Sequence, residues 1–135
     1  MLKRIEFITI ASTGDAQEFG NLIQGGYTMA GASNSTRALV WGGTFPDTST
    51  ATNTIEFITI ATKGNGVDFG DTTRTVTSPM VTASSTRSVC YGGNGAGDNI
   101  VEYVNIMTQG NAVDFGDTYA QRYSGAGFSN GHGGL

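Results

Sequence analysis

Residues 5–20 read IEFITIASTGDAQEFG, and this segment occurs three times in the chain. The second copy is IEFITIATKGNGVDFG at residues 55–70, and the third is VEYVNIMTQGNAVDFG at residues 101–116. The copies begin 50 and then 46 residues apart, which lies in the range of periods that indicates stacked supersecondary units. We therefore interpret the 135-residue chain as a single domain built from repeats.

Each copy predicts a β-hairpin. Alternate residues of segment 5–10 lie on opposite sides of an extended strand, and both sides are largely apolar, so this strand is expected to be covered on both faces. A turn follows, with Gly14, Gly64 and Gly110 at the aligned position. Glycine at that position indicates a backbone with positive φ. A second strand then ends at the aligned Phe-Gly pairs.

Two more strands are predicted in each unit. Residues 27–33 (YTMAGAS) and 37–43 (RALVWGG) are separated by turn-forming residues, and residues 80–84 and 86–93 repeat the arrangement. Four short strands in units of this length are typical of a β-propeller blade. The chain shows no apolar periodicity of 3.6 residues, which excludes a helical solenoid.

The second predicted strand of each complete unit ends in paired glycines, at residues 40–43 and 90–93. The unit reads STR, then GG, a variable loop, the IEFITI strand and a DFGD ending. In this order the unit resembles the kelch-like repeats of tail-fibre and structural proteins of tailed bacteriophages, marine ones especially, over nearly the whole chain. The resemblance implies an all-β, kelch-like β-propeller fold with about three four-stranded blades per chain. It also implies a location on a virion or adhesion surface, without a family active site.

On kelch strand order, the expected division is a half blade at residues 1–22, a blade at 27–70, a blade at 79–116 and a half blade at 123–135. The last half blade begins with a predicted strand at residues 123–130. The chain thus starts with the third strand of one blade and stops soon after the first strand of another. The two ends are complementary halves of one blade.

Ring closure is expected to involve more than one chain. Closed propellers contain about 4 to 8 blades, and an isolated chain would expose open strand edges. The C-terminal strands of one chain are expected to complete the N-terminal half blade of the next. Two chains would form about six blades and three chains about nine, so a head-to-tail homodimer is predicted, with a homotrimer as the alternative. A fragment of a longer propeller would have the same ends.

Composition and charge narrow the function classes. The net charge is −4 and the chain has no Lys/Arg cluster, so nucleic acid is not an expected partner. The first residues form no apolar signal region, and no stretch approaches transmembrane length, so neither a signal peptide nor membrane insertion is expected. The expected location is the virion, or the host cytoplasm during assembly.

Residue types used in catalysis are few, and each has a structural interpretation. His132 is the sole histidine and has no partner motif, so a role in a terminal loop is preferred. Cys90 is the sole cysteine, which excludes an intrachain disulfide and a cysteine-based zinc site. It aligns with Val40 in an apolar strand and is expected to be a small buried hydrophobe. No catalytic residue, metal ligand or cofactor is assigned, and an enzyme is not expected.

Two charged positions predict contacts between blades. Arg37 and Arg87 occupy the same strand entry in the two complete units. Each is expected to bond carbonyls or a carboxylate of the neighbouring blade. Glu6, Glu56 and Glu102 recur in the third strand, and their pairing with these arginines is a structural hypothesis.

The loops between strands two and three and between strands four and one differ among the units, and they lie on one face of an up-and-down blade. Divergent loops on a regular scaffold are where binding residues usually lie. Aromatic residues there suit stacking on a sugar, and polar residues suit its hydroxyls. The candidates are Phe45, Asp47, Arg74, Tyr119 and Arg122. Neutral drift is the alternative explanation for each of them.

The expected function is a non-catalytic, phage-type structural or receptor-binding module that binds host surface glycans through this loop face. A purely architectural virion component without a ligand is the nearest alternative. A carbohydrate-active propeller enzyme is the third. It is disfavoured because no repeated pair of carboxylates stands apart from the structural repeat.

Overall fold

The computed structural model describes residues 3–94 and 99–130, and the regular structure in them is entirely β. This confirms the all-β class expected from the sequence. His132 and the end of the predicted C-terminal half blade lie outside the described residues. The strands are β1 (Arg4–Phe7), β2 (Gln17–Asn21), β3 (Ala30–Ser33), β4 (Arg37–Trp41), β5 (Thr44–Phe45), β6 (Thr50–Thr59), β7 (Val67–Val76), β8 (Met80–Ala83), β9 (Arg87–Tyr91), β10 (Ile100–Asn105) and β11 (Val113–Asp117).

The strands form three antiparallel sheets. Strands β1 and β2 form a two-stranded N-terminal sheet. Strands β3, β4, β6 and β7 are successive neighbours in a central sheet, in which the short β5 also pairs with β6. Strands β8 to β11 are successive neighbours in a C-terminal sheet. In the two larger sheets the strand order therefore follows the chain as an up-and-down meander.

The central hairpin is longer than the sequence pattern predicts. Strand β6 begins at Thr50 and β7 continues to Val76, so part of the segments expected to be loops is extended and paired, with Thr52 opposite Val76. The added segments are rich in threonine, whose β-branched side chain favours strands. The variable loops of this unit are shorter than expected for that reason.

A β-bulge recurs in each repeated hairpin. The register shifts between Ile5 and Glu6, and the same shift occurs at the aligned positions of the other two hairpins. Ile5 lies opposite Gly20 and Glu6 opposite Glu18, which leaves Phe19 as the extra residue. A bulge leaves the extra residue outside the strand ladder, so its backbone groups are available to a neighbouring sheet.

The turn glycines do not all have the predicted backbone. Neither Gly14 nor Gly64 has a positive φ, whereas Gly110 has a φ of 155°. A positive φ also occurs next to the bulge of the second and third hairpins, where it is 147° at Gly70 and 143° at Gly116. The turn glycine has another role, because the Gly64 amide donates a hydrogen bond to the preceding sheet.

One hydrophobic core lies between the central and C-terminal sheets. Trp41 is completely buried there, and its Nε1 donates a 3.0 Å hydrogen bond to Ser88 Oγ, which satisfies the only polar atom of the indole. Cys90 is also completely buried in this core, as its alignment predicts. The core residues are Leu39, Trp41, Ile55, Phe57, Phe69, Val81, Cys90, Val104, Ile106 and Ala112.

The strand predicted at residues 123–130 is absent. Residues 123–130 nevertheless lie against the C-terminal sheet. The hydrogen bond at the start of this segment matches the one that the residues before β8 make with the central unit. Ser124 N donates to Ser78 O at 3.2 Å, as Ser78 N donates to Thr28 O at 3.0 Å, and these three residues share a positive φ of 52–59°. A strand requires a paired neighbour, and none of the described strands pairs with this segment.

Candidate functional site

The predicted binding residues differ widely in exposure. Tyr119 is fully exposed, and Asp47 and Arg122 are exposed on loops. Phe45 lies in β5 and is half-buried. The Arg74 side chain is only 7% exposed, and its Nη2 donates to Gly92 O at 2.8 Å and Ile100 O at 3.3 Å. Arg74 therefore has little surface left for a ligand, because β7 extends through its position.

The loop that precedes β3 and the loop around β5 meet at a small cavity. Gln24, Phe45 and Thr54 contribute to its wall. Its volume is about 10 Å³, the size of one water molecule rather than of a sugar. A wider cleft of about 280 Å³ shares Gln24 and Thr54 with this cavity and is also lined by Ile23, Asp68 and Asp71. A glycan could therefore contact this face through that cleft or through the exposed surface of the loops.

Three threonines join the loops of the two larger sheets. Thr77 Oγ1 lies 2.5 Å from Thr28 Oγ1 and 2.6 Å from Thr44 Oγ1, and the last two atoms are 3.1 Å apart. Each hydroxyl can both donate and accept, so the cluster links the two units without any charged group. Sequence reasoning missed this cluster because threonine is common throughout the chain.

The glutamates of the repeated third strand bind backbone amides of the preceding unit. Glu56 is 4% exposed and accepts hydrogen bonds from Ile23 N at 2.7 Å and Gln24 N at 3.0 Å. Glu102 is completely buried and accepts from Thr73 N at 2.7 Å and Thr73 Oγ1 at 2.8 Å. These charge-assisted bonds are stronger than bonds between neutral groups. Glu56 therefore holds the loop that follows β2, and Glu102 holds strand β7.

The predicted pairing of these glutamates with Arg37 and Arg87 is wrong. The strand register explains the error, because Arg37 lies opposite Thr59 whereas Glu56 lies opposite Val40. Instead, the guanidinium of Arg37 lies 4.4 Å from the centre of the Phe57 ring, and Arg87 stacks on Tyr103 in the same way.

The expected contact of Arg37 with a neighbouring carbonyl is confirmed. Its Nη1 donates a 3.0 Å hydrogen bond to Ile106 O, which follows β10 in the next sheet. Arg37 thus binds an aromatic ring of its own sheet and a carbonyl of the next one. This combination ties the central sheet to the C-terminal sheet.

A set of hydrogen bonds, called here the junction set, recurs between successive units. The N-terminal and central sheets are joined by Gly64 N to Phe19 O, Gly66 N to Asn21 O, Asn21 N to Asn65 Oδ1 and Ile23 N to Glu56 Oε2, at 2.7–3.0 Å. The central and C-terminal sheets are joined by Gly110 N to Phe69 O, Ala112 N to Asp71 O, Asp71 N to Asn111 Oδ1 and Thr73 N to Glu102 Oε2, again at 2.7–3.0 Å. The acceptors at Phe19 and Phe69 are the carbonyls of the two bulge residues. The repeat thus specifies the junction between sheets as well as the sheet itself.

Among the described residues, only the Cys90 thiol has a strongly shifted pKa. Burial and, to a smaller extent, the nearby charge of Glu102 together raise the pKa of the Cys90 thiol to about 12, although Arg74 opposes the shift. Glu102 lies opposite Cys90 in the β9–β10 pair. The thiol is therefore protonated at neutral pH and is a poor nucleophile.

The native chain is expected to resist thiol reagents at pH 8. With a pKa of about 12, roughly one Cys90 thiol in ten thousand is ionised at that pH, whereas roughly a quarter of an unfolded cysteine with a pKa of about 8.5 is ionised. Labelling with Ellman's reagent should be at least ~1,000-fold slower in buffer than in denaturant. Rapid labelling of the native chain would contradict this placement of Cys90.

The described residues lack both a metal-binding cluster and a membrane-spanning helix. They contain no group of three or more His, Cys, Asp or Glu side chains positioned to hold a metal ion. They also contain no helix that is long and apolar enough to cross a membrane.

Comparison with known proteins assigns the chain to no family. No protein-family model matches the chain, and no curated protein matches it significantly.

Proposed function

We propose that this chain is a non-catalytic β-propeller module that serves as a structural or receptor-binding component of a phage-type particle. The observation that carries the proposal is the repetition of one junction set between successive meander sheets. Four-stranded meanders repeated radially are the architecture of propellers. On this proposal the N-terminal sheet is half of a blade, and the ring is completed by further copies of the chain, with a homodimer preferred to a homotrimer.

The chemistry of the buried groups supports a non-catalytic role. Glu56 and Glu102 are the most buried acids among the described residues, and both accept hydrogen bonds from backbone amides. Burial keeps the Cys90 thiol protonated by raising its pKa. A general base or nucleophile must instead reach a substrate in a cleft.

Host surface glycans are the proposed ligand class for the loop face. Tyr119, Asp47 and Arg122 supply an exposed aromatic ring and exposed polar groups there. Aromatic rings suit the apolar faces of sugars, and polar groups suit their hydroxyls. A purely architectural component without a ligand is the second candidate, since the cavity between Gln24, Phe45 and Thr54 holds no more than a water molecule.

A glycan array probed with the labelled protein tests the proposal. If the loop face binds glycans, Tyr119→Ala should reduce binding about tenfold or more, because burial of a large apolar side chain contributes roughly 1.5–3 kcal/mol. Met107→Ala is the matched control, because Met107 is 53% exposed in the turn at the opposite end of the sheet. Loss of binding in both variants would argue against the loop face. No binding to any glycan by an assembled protein would favour the architectural role, and turnover of a bound glycan would contradict the non-catalytic assignment.

A further inference from the structure

We propose that the two ends of the described chain carry the two halves of a third junction, which forms between copies of this chain. The leading face comprises β1 and the turn at residues 8–16, and the trailing face comprises β11 and residues 118–120. This inference rests on the propeller architecture proposed above and adds the residues that join the copies. The occupant of each face is the other face of a second copy.

The hydrogen-bonding groups of the two faces match the junction set. Alignment of the repeats pairs four donors with four acceptors, and none of these pairs is joined within the described part of the chain. Every pair takes one group from each end of the chain. The expected bonds between copies are Gly14 N to Phe115 O, Ala16 N to Asp117 O, Asp117 N to an Asp15 carboxylate oxygen, and Tyr119 N to a Glu6 carboxylate oxygen.

The apolar residues of the two faces are more exposed than their counterparts in the internal junctions. Ile106 is completely buried against the central sheet and Ile60 is 41% exposed, whereas the aligned Ile10 is 95% exposed. Phe69 is 2% exposed under the C-terminal sheet, whereas the aligned Phe115 is 61% exposed. Exposed apolar groups at the positions that an internal junction covers indicate a protein interface.

The bulge glycine of the trailing face has room for a neighbour. A Cβ on Gly20 would collide with the backbone of Gly64, and a Cβ on Gly70 would collide with the backbone of Gly110. These two glycines permit the turn of the next unit to approach. Gly116 has nearly the same φ as Gly70, but no atom lies within 4 Å of its Cβ position. The space that a neighbouring turn fills in the internal junctions is therefore open at Gly116.

The geometry favours a closed ring of copies. A leading face that binds a trailing face is a heterologous contact, which repeats until rotation closes the ring. Each chain contributes about three blades under this proposal, so two copies give about six blades, within the usual range. Three copies would give about nine and use the same junction.

The first experiment measures native mass by light scattering after size-exclusion chromatography, for the wild type and two variants. Ile10→Asp should convert a species of twice the 14.0 kDa chain mass into a monomer with an unchanged circular dichroism spectrum. The expected rise in the dissociation constant is at least ~100-fold, because an unpaired charge would be buried. Ser12→Asp is the matched control, since the aligned Thr62 and Thr108 remain exposed in the internal junctions. A monomeric wild type, or an Ile10→Asp variant that still assembles, would overturn the proposal.

Cysteine pairing tests the register. Asn21 N bonds Asn65 Oδ1 in one internal junction, and the equivalent pair between copies is Asp117 with Asp15. Asp15→Cys combined with Asp117→Cys should form an intermolecular disulfide under mild oxidation and give a covalently closed oligomer, while each single variant should not. Cys90 is completely buried and should not interfere. A disulfide formed by Asp15→Cys alone would show an isologous contact and overturn the head-to-tail junction.

Glycan binding by the Ile10→Asp monomer would show that the loop face binds its ligand without the junction. The junction and the glycan-binding proposal can therefore fail separately.

Discussion

Replacing Glu102 by alanine is expected to lower the free energy of unfolding by about 3–5 kcal/mol, because one partner of a buried charged pair is removed. Glu102 is completely buried, and the Arg74 side chain 4.0 Å away is 7% exposed. The substitution also deprives Thr73 of its acceptor for both the amide and the hydroxyl. Urea unfolding followed by the fluorescence of Trp41, which is completely buried, measures the change.

Three variants separate the sources of this effect. Glu102→Gln keeps an acceptor for Thr73 and should cost less than Glu102→Ala. Adding Arg74→Met to Glu102→Ala should recover part of the loss, because the unpaired guanidinium is then removed. Glu56→Ala is the matched control in the other junction, where Glu56 binds two amides and forms no ion pair with the described residues, and it should cost about 1–3 kcal/mol. An effect of Glu102→Ala below about 1 kcal/mol would contradict a structural role for this buried acid.

The repeated hairpin could be predicted from the sequence because its information is local. Alternating apolar residues and aligned glycines specify the strands within a copy, and alignment of Cys90 with Val40 was sufficient to predict that Cys90 is buried. The extent of β6 and β7 was not predictable in this way. Their added residues pair across the sheet, as Thr52 does with Val76, and such pairing depends on tertiary context rather than on propensity.

In the candidate site, too, some features could be predicted from local sequence and others depended on tertiary context. The recurrence of glutamate in the third strand predicted that Glu56 and Glu102 make polar contacts, but it did not identify their partners. Those partners are backbone amides of Ile23, Gln24 and Thr73, and a backbone amide has no signature in the sequence. The partners became visible only when the offset between neighbouring sheets was known. Arginine was the obvious choice for an acid, yet the register holds Arg37 and Glu56 apart.

Among Gly→Ala substitutions in the repeated hairpins, Gly70→Ala is expected to lower the free energy of unfolding the most. Its φ of 147° is unfavourable for any L-residue, which costs about 1–3 kcal/mol. In addition, the new Cβ would collide with the backbone of Gly110, and overpacking of this kind costs a further ~1–3 kcal/mol or more. Urea unfolding should therefore show a loss of about 2–6 kcal/mol.

Gly116→Ala separates strain from collision, because Gly116 has a φ of 143° and no atom within 4 Å of its Cβ position. In the monomeric Ile10→Asp background, Gly116→Ala should cost only the strain, about 1–3 kcal/mol, while Gly70→Ala keeps its full cost. Equal losses in that background would mean that the collision at Gly70 is relieved by movement of the turn. If the wild type assembles as proposed, Gly116→Ala should also weaken association, because the turn of a second copy would then approach the added methyl. The same substitution thus affects folding at one junction and assembly at the next, as expected if copies of the chain continue the repeat.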